Sequence, residues 1–349
     1  MTRKINIGGV YVGGGSPVSV QSMTNVKTKD VEKTVQQIHE LEKAGCEIIR
    51  VAVPDMESAQ AIDKIKDRIS IPLVADIHFD YRLALECIKR GADKIRINPG
   101  NIGSKERVRA VADAAGDKGI PIRIGVNGGS LEAHILKKYG RPSPEGMVES
   151  ALYHIKLLED CGFYDIAVSL KASDVKTTVE AYRLMSKKCD YPLHLGVTEA
   201  GTAWGGTIRS AMGIGALLLD GIGDTVRVSL TADPVEEVIA AKEILRSAGL
   251  RDNGIRVVSC PTCARCQINM IPIAEAVTKA VERFKKPMKV AVMGCAVNGP
   301  GEAKDADIGV AGGNGCGLIF KKGEILRRVP EESIFSELMN EIEKMQENI

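Results

Sequence analysis

Lys94-Ile-Arg-Ile-Asn98 and Pro121-Ile-Arg-Ile-Gly-Val-Asn127 are two short strand-like runs, each ending in a polar residue. They are separated by a helical pattern over 105–118 that closes on Gly119. The same unit recurs on both sides of this pair. Upstream lie Val18-Ser-Val-Gln-Ser-Met-Thr-Asn25, Glu47-Ile-Ile-Arg-Val-Ala-Val53 and Pro72-Leu-Val-Ala-Asp-Ile-His78. Downstream lie Asp165-Ile-Ala-Val-Ser-Leu-Lys171, Pro192-Leu-His-Leu-Gly-Val-Thr198 and Thr225-Val-Arg-Val-Ser-Leu-Thr231. Helical patterns fill the intervals at 29–45, 58–68, 81–90, 144–161, 174–188 and 233–248, and several stop on glycine.

Eight buried strands alternating with helices in the first 250 residues predict an α/β fold, a (β/α)8 TIM-type barrel. An open doubly wound sheet would want a G-x-G-x-x-G turn after its first strand, and none is present. The glycines of 8–15 lack a following Gly-Lys-Ser/Thr and read as a turn after a short hairpin-like start. Leu250-Arg-Asp-Asn-Gly254 is the expected junction, dividing the chain into a barrel (1–250) and a small α+β module (251–349). The module reads as strand 256–259, helix 270–284, strands 289–293, 307–311 and 317–320, and a closing helix 331–345.

In a barrel of this kind the chemistry gathers at the C-terminal ends of the strands. Those ends carry Asn25, Arg50, Asp76, His78, Arg96, Asn98, Arg123, Asn127, Lys171, Thr198, Glu199, Arg227, Ser229 and Thr231. Arg50, Arg96, Arg123, Lys171 and Arg227 are five cations around one mouth, costly to gather unless a polyanion neutralises them. Arginine also suits bidentate contact with phosphate oxygens. Any one of them can pair with Asp76, Glu199 or another carboxylate, but for the set a phosphorylated or diphosphorylated substrate is the better reading. The glycine-rich stretches 125–129 and 201–206 read as loops able to add backbone N–H donors, with Trp204 a loop anchor or lid element. Cys46, Cys87, Cys161 and Cys189 read as thiols without a role, and His39, His134 and His154 as structural.

The 349 residues carry 44% hydrophobic and 26% charged side chains, an ordinary globular composition. No apolar run of about 18 residues is present, and residues 1–15 show no apolar h-region or cleavage site, so neither a membrane span nor export is expected. A net charge of +2 gives no ground for nucleic-acid binding. Nine cysteines in a chain expected to be cytoplasmic argue for thiols and metal rather than disulfides.

The metal reading rests on Cys260-Pro-Thr-Cys263-Ala-Arg-Cys266, answered by Met293-Gly-Cys295-Ala-Val-Asn-Gly-Pro-Gly-Glu302. Two cysteines spaced C-x-x-C hold adjacent corners of a site, and a third must return by folding. Cys260, Cys263, Cys266 and Cys295 suit structural zinc. The glycines around Asn298, and Glu302 as a hard, exchangeable ligand beside soft thiolates, favour an iron–sulfur cluster that binds substrate.

These motifs, with Val20-Gln-Ser-Met-Thr-Asn25, Ile95-Arg-Ile-Asn-Pro-Gly-Asn-Ile-Gly103, Ile124-Gly-Val-Asn-Gly-Gly-Ser130, Ser169-Leu-Lys-Ala-Ser173 and Gly196-Val-Thr-Glu-Ala-Gly201, resemble the 4-hydroxy-3-methylbut-2-en-1-yl diphosphate synthase family over the whole chain. That resemblance implies an oxidoreductase of the non-mevalonate isoprenoid pathway. Its substrate is 2-C-methyl-D-erythritol 2,4-cyclodiphosphate, opened reductively and dehydroxylated to 4-hydroxy-3-methylbut-2-enyl diphosphate. It implies a [4Fe-4S] cluster on Cys260, Cys263, Cys295 and Glu302, with Cys266 a neighbour. Diphosphate contacts fall on Arg50, Arg96, Arg123, Lys171 and Ser229, with Asn127 and Arg227 nearby. The resemblance further implies that Glu199 is the proton-delivering acid and that Asn298 touches substrate from the cluster side. It also implies flavodoxin or ferredoxin as electron donor and a homodimer in which the cluster domain of one chain caps the barrel of its partner. The alternative is a TIM-barrel enzyme on another phosphorylated substrate, with structural zinc.

Overall fold

The computed structural model describes residues 1–251, 254–296, 301 and 303–347. Asn298 and Glu302 lie outside the described residues. The chain divides into two compact units, Met1–Arg251 and Asp252–Ile349.

A two-stranded antiparallel hairpin, β1 (Ile5–Ile7) and β2 (Val10–Val12), opens the first unit. Eight parallel strands follow: β3 (Ser19–Met23), β4 (Ile48–Ala52), β5 (Leu73–Asp76), β6 (Lys94–Ile97), β7 (Ile122–Asn127), β8 (Ile166–Lys171), β9 (His194–Leu195) and β10 (Thr225–Val226). They are hydrogen-bonded in the order β8-β7-β6-β5-β4-β3-β10-β9. A parallel bridge between Val168 and Leu193 and the Val168 N–H to the Pro192 carbonyl (2.9 Å) bring β9 back to β8. The result is the TIM-type barrel, with helices between successive strands.

Alternation along each strand sorts the side chains. Ile49, Val51, Ile95, Ile97, Ile122 and Ile124 belong to the large core shared with the helices. Residues of the other parity, among them Arg50, Lys94, Arg96 and Arg123, therefore face the lumen. At the N-terminal end of the strands, Ile5, Ile7 and Val12 of the hairpin pack on Ile48, Val74 and Ala167. An apolar plug thus closes the bottom of a lumen that is charged above it.

Asp30, Asp55, Ser143, Asp174 and Asp233 each accept a backbone N–H of the first turn of the helix they precede, the usual answer to unpaired N–H groups. Three expectations need correction. The stretch 58–68 is two short helices, Met56–Gln60 and Ile62–Lys66. The last two barrel strands are two residues long, and Arg227 and Ser229 lie beyond β10. The chain turns there because Gly196 approaches so closely that a Cβ would lie 2.7 Å from the Arg227 carbonyl oxygen. Third, most of 201–206 is not a loop: Trp204 sits in a helix, Ala203–Leu219. Its glycines serve contact, not flexibility; a Cβ on Gly206 would meet Leu230 at 2.6 Å and one on Gly213 would meet Val197 at 2.6 Å. In the 125–129 stretch, β7 likewise runs to Asn127 before a 3-10 turn, Gly128–Ser130.

The second unit is a five-stranded sheet of β11 (Ile255–Ser259), β12 (Met288–Met293), β13 (Ile308–Gly313), β14 (Cys316–Lys321) and β15 (Glu324–Pro330), in that order. The first three are parallel and the last two pair antiparallel. Helices Met270–Val281 and Ile334–Glu347 cover it through Val277, Val281, Leu338 and Ile342. Among the described residues no helix is long and apolar enough to cross a membrane.

Candidate active site

Inside the barrel, register sets Asp76, Arg96 and Arg123 side by side on β5, β6 and β7. Arg96 Nη1 lies 3.1 Å from Asp76 Oδ1 and its Nη2 donates to the Gly125 carbonyl at 3.2 Å. Arg50 Nε lies 3.6 Å from Asp76 Oδ2, and its Nε and Nη2 point at Met23 Sδ at 3.1 and 2.8 Å. Lys171 ends β8 in register with Asn127 of β7. Arg227 Nη2 is 3.6 Å from Glu237 Oε2, a carboxylate reaching in from helix Pro234–Ser247 whose other oxygen accepts the Leu230 N–H.

Charge does not balance here. The buried bases Arg50, Lys94, Arg96, Arg123 and Lys171 share the lumen with the buried carboxylates Asp76 and Glu237. Internal pairing, the alternative considered for single residues, holds for Arg50, Arg96 and Arg227. It does not extend to Arg123 or Lys171, which have no carboxylate within ion-pair distance among the described residues. Among the described residues Arg123 Nε and Nη1 have no hydrogen-bond partner, and neither does Arg96 Nε. Burial pushes the Asp76 carboxyl up, but Arg50, Arg96 and Arg123 outweigh it and hold it down at about 2. Burial pulls the Arg50 guanidinium down to about 9, which leaves it charged at neutral pH. Burial, reinforced by neighbouring cations, pulls Arg123 and Lys171 well below their usual ranges. A buried excess of positive charge with free N–H donors is a receptor for a compact polyanion.

Glycine makes room for these cations. A Cβ on Gly125 would lie 2.4 Å from Arg96 Nε, and one on Gly196 would lie 2.8 Å from Lys171 Nζ. Gly125→Ala should therefore dislodge Arg96, raising KM about tenfold with kcat little changed, and lowering the melting temperature by a few degrees. Steady-state kinetics check this, and an unchanged KM would show that Arg96 does not hold the substrate.

The remaining predicted residues stand at the mouth. Asn127 and Ser229 are half-buried. Glu199 is exposed and left-handed, with φ of +54°, a conformation costly for a residue with a Cβ and common at functional sites. Asn98 is buried with its Oδ1 unpartnered. Asn25 is spent on Gln37, to which its amide oxygen and backbone N–H are bonded. His78 is exposed, with Nε2 3.8 Å from Asp76. Met23, Lys94, His194 and Glu237 join the site beyond the residues that the sequence marks. For the first three the available signal is strand alternation, which puts them on the same side as Arg50, Arg96 and Arg227.

In the second unit, Cys260 leaves the end of β11 and Cys295 follows β12, its parallel neighbour. Cys260 Sγ accepts the Gly294 N–H at 3.2 Å and touches Met270 Sδ at 3.7 Å. The 260–268 loop is tied to the same turn by the Gln267 N–H on the Gly294 carbonyl (2.8 Å). Gly294 has no room for a side chain, since a Cβ would lie 2.6 Å from Cys266 Sγ. Cys263 is exposed, and its thiol is lowered by hydrogen bonding to the backbone and side chain of Arg265. Cys266 Sγ also lies beside Gly294, and it donates to the Ile268 carbonyl at 3.2 Å. Among the described residues no three His, Cys, Asp or Glu side chains already stand together as a metal site. The chemistry of the donors still fits an iron–sulfur group: two thiols on adjacent strand ends, an exposed acidified third, and an amide aimed at a ligand sulfur.

A family model described as the GcpE TIM-barrel domain matches residues 2–242, and one described as the GcpE protein C-terminal domain matches residues 256–344. Over 344 residues the chain is 60% identical to a protein named 4-hydroxy-3-methylbut-2-en-1-yl diphosphate synthase (flavodoxin) from Ruminiclostridium cellulolyticum, covering 99% of this chain and 98% of the relative. A protein of the same name from Caldanaerobacter subterraneus subsp. tengcongensis is 62% identical over 345 residues, with 99% and 97% covered. In fold alone, the chain resembles a dihydropteroate synthase from Stenotrophomonas maltophilia (13% identity, TM-score 0.52, 72% of this chain and 100% of that one).

Proposed function

The chain belongs to the GcpE family, and on that premise we propose that it reduces 2-C-methyl-D-erythritol 2,4-cyclodiphosphate to 4-hydroxy-3-methylbut-2-enyl diphosphate. It is an oxidoreductase of isoprenoid biosynthesis. The observation that carries the substrate class is the lumen's excess of buried bases, with Arg123 and Lys171 lacking any carboxylate partner among the described residues. The relatives' printed name gives no support to the alternative of another phosphorylated substrate with structural zinc.

Arg50, Arg96, Arg123, Lys171 and Ser229 hold the diphosphate, with Asn127 and Arg227 beside them. Binding energy from these contacts fixes the carbon skeleton at the barrel mouth, so the reacting C–O bond is positioned without further entropy loss. Glu199 delivers the proton with which the expelled oxygen leaves as water. Cys260, Cys263, Cys295 and Glu302 hold a [4Fe-4S] cluster, and Asn298 contacts the substrate from that side. When bound, such a cluster supplies electrons singly and a Lewis-acidic iron. Flavodoxin, the word printed in the relatives' names, is the donor we assign. The working form is a cytoplasmic homodimer in which the cluster domain of one chain caps the barrel of the other, excluding water.

Anaerobically purified protein should be brown, contain about four irons and four acid-labile sulfides per chain, and turn over the cyclodiphosphate only with reductant. A colourless protein holding one zinc would overturn the mechanism.

A further inference from the structure

Below the arginines lies a second polar layer that the mechanism above does not use. Lys94, two residues before Arg96 on β6, is completely buried. Among the described residues its Nζ has one hydrogen-bond partner, the neutral Gln21 Oε1, at 3.4 Å. The ionisable groups facing it are Arg50 from β4, Arg123 from β7 and His194 from β9. Asp76, on neighbouring β5, is engaged by Arg50 and Arg96. Next to Lys94, Gln21 Nε2 and both nitrogens of His194 lack partners among the described residues, as do Ser19 Oγ and Thr225 Oγ1 from strands in register with His194. Burial and the charges of Arg123 and Arg50 all disfavour the ammonium form of Lys94.

We propose that Lys94 is the proton-accepting residue of the anion site, its buried amine gaining a proton as the diphosphate settles against Arg50 and Arg123, so that substrate binding takes up a proton. This rests on the diphosphate reading of the lumen. The proton comes from solvent, the new bond is N–H on Nζ, and no electron moves. The anion supplies the negative potential that Lys94 otherwise lacks. Opening a cyclic diphosphate to a diphosphate monoester adds a further ionisable P–O group, so the extra cation remains matched through turnover. Lys94 acts from behind Arg123 and is a positioning residue.

The test is calorimetric binding of 2-C-methyl-D-erythritol 2,4-cyclodiphosphate to the anaerobic holoenzyme at pH 7.5, in buffers of differing ionisation enthalpy. The slope of heat against ionisation enthalpy counts protons. Wild type should take protons up, Lys94→Met about one fewer, and His194→Asn the same number as wild type. Lys94→Met removes a buried amine at similar volume, so the ligand-free variant should melt no lower than wild type. Equal uptake in wild type and Lys94→Met, or a loss in His194→Asn instead, overturns the proposal while leaving the diphosphate site intact. No uptake by wild type overturns it whatever the variants do. No binding at all by wild type overturns the diphosphate reading together with it.

Discussion

Cys295→Ser abolishes reductant-driven turnover, by at least ~10³-fold, while leaving the affinity of the barrel for the cyclodiphosphate within about twofold. The asymmetry follows from the separation of parts. Cys295 belongs to the turn after β12, where the Gly294 N–H is committed to Cys260 Sγ, and its side chain is buried. Serine offers a harder, shorter and less acidic ligand atom in a place where the backbone cannot follow, because Gly294 is hemmed in by Cys266 and Met270. The buried bases Arg50, Lys94, Arg96, Arg123 and Lys171 all come from barrel strands in the other unit. Iron content, the visible spectrum and calorimetric binding check the two halves separately. Turnover surviving the substitution would remove Cys295 from the ligand set.

Arg123→Met acts in the opposite sense. It weakens cyclodiphosphate binding by at least ~30-fold, since truncating a buried charged contact costs roughly 2–5 kcal/mol. Yet the ligand-free protein becomes more stable, by about 1–2 kcal/mol, because the guanidinium removed is fully buried with two nitrogens unpartnered. Stability and affinity thus trade against each other at one residue. Denaturation with and without ligand measures both. A variant that binds weakly and is also destabilised would mean that Arg123 is part of the scaffold.

Much of this architecture is legible in the amino-acid sequence. Lys94-Ile-Arg-Ile reads correctly because a barrel strand shows helices one face and the lumen the other, so its isoleucines mark a core whatever the basic residues do. The short β9 and β10 are less legible, because Gly196 follows β9 where the Arg227 carbonyl leaves no room for a Cβ, a tertiary constraint that local sequence does not show. Helix Ala203–Leu219 is disguised by glycines that exist for close packing on Val197 and Leu230. Strand β15 escapes notice because its residues are mostly exposed and include Arg327 and Arg328, and pairing to β14 rather than burial makes it a strand. At the site, the arginines stand out at strand ends. Glu237 does not, since it reaches Arg227 from a helix and nothing local marks it.

The apolar plug beneath the lumen has a kinetic consequence. With Ile5, Ile7 and Val12 packed against Ile48, Val74 and Ala167, the charged lumen is sealed at the N-terminal end of the strands, and the mouth at the other end is the way in. Whatever enters must leave the way it came. On the proposed diphosphate reading, product held by the same arginines would block the next arrival and should inhibit competitively against substrate, which product-inhibition kinetics check. The departure of a tightly held anion, rather than bond breaking, then becomes the natural brake on turnover.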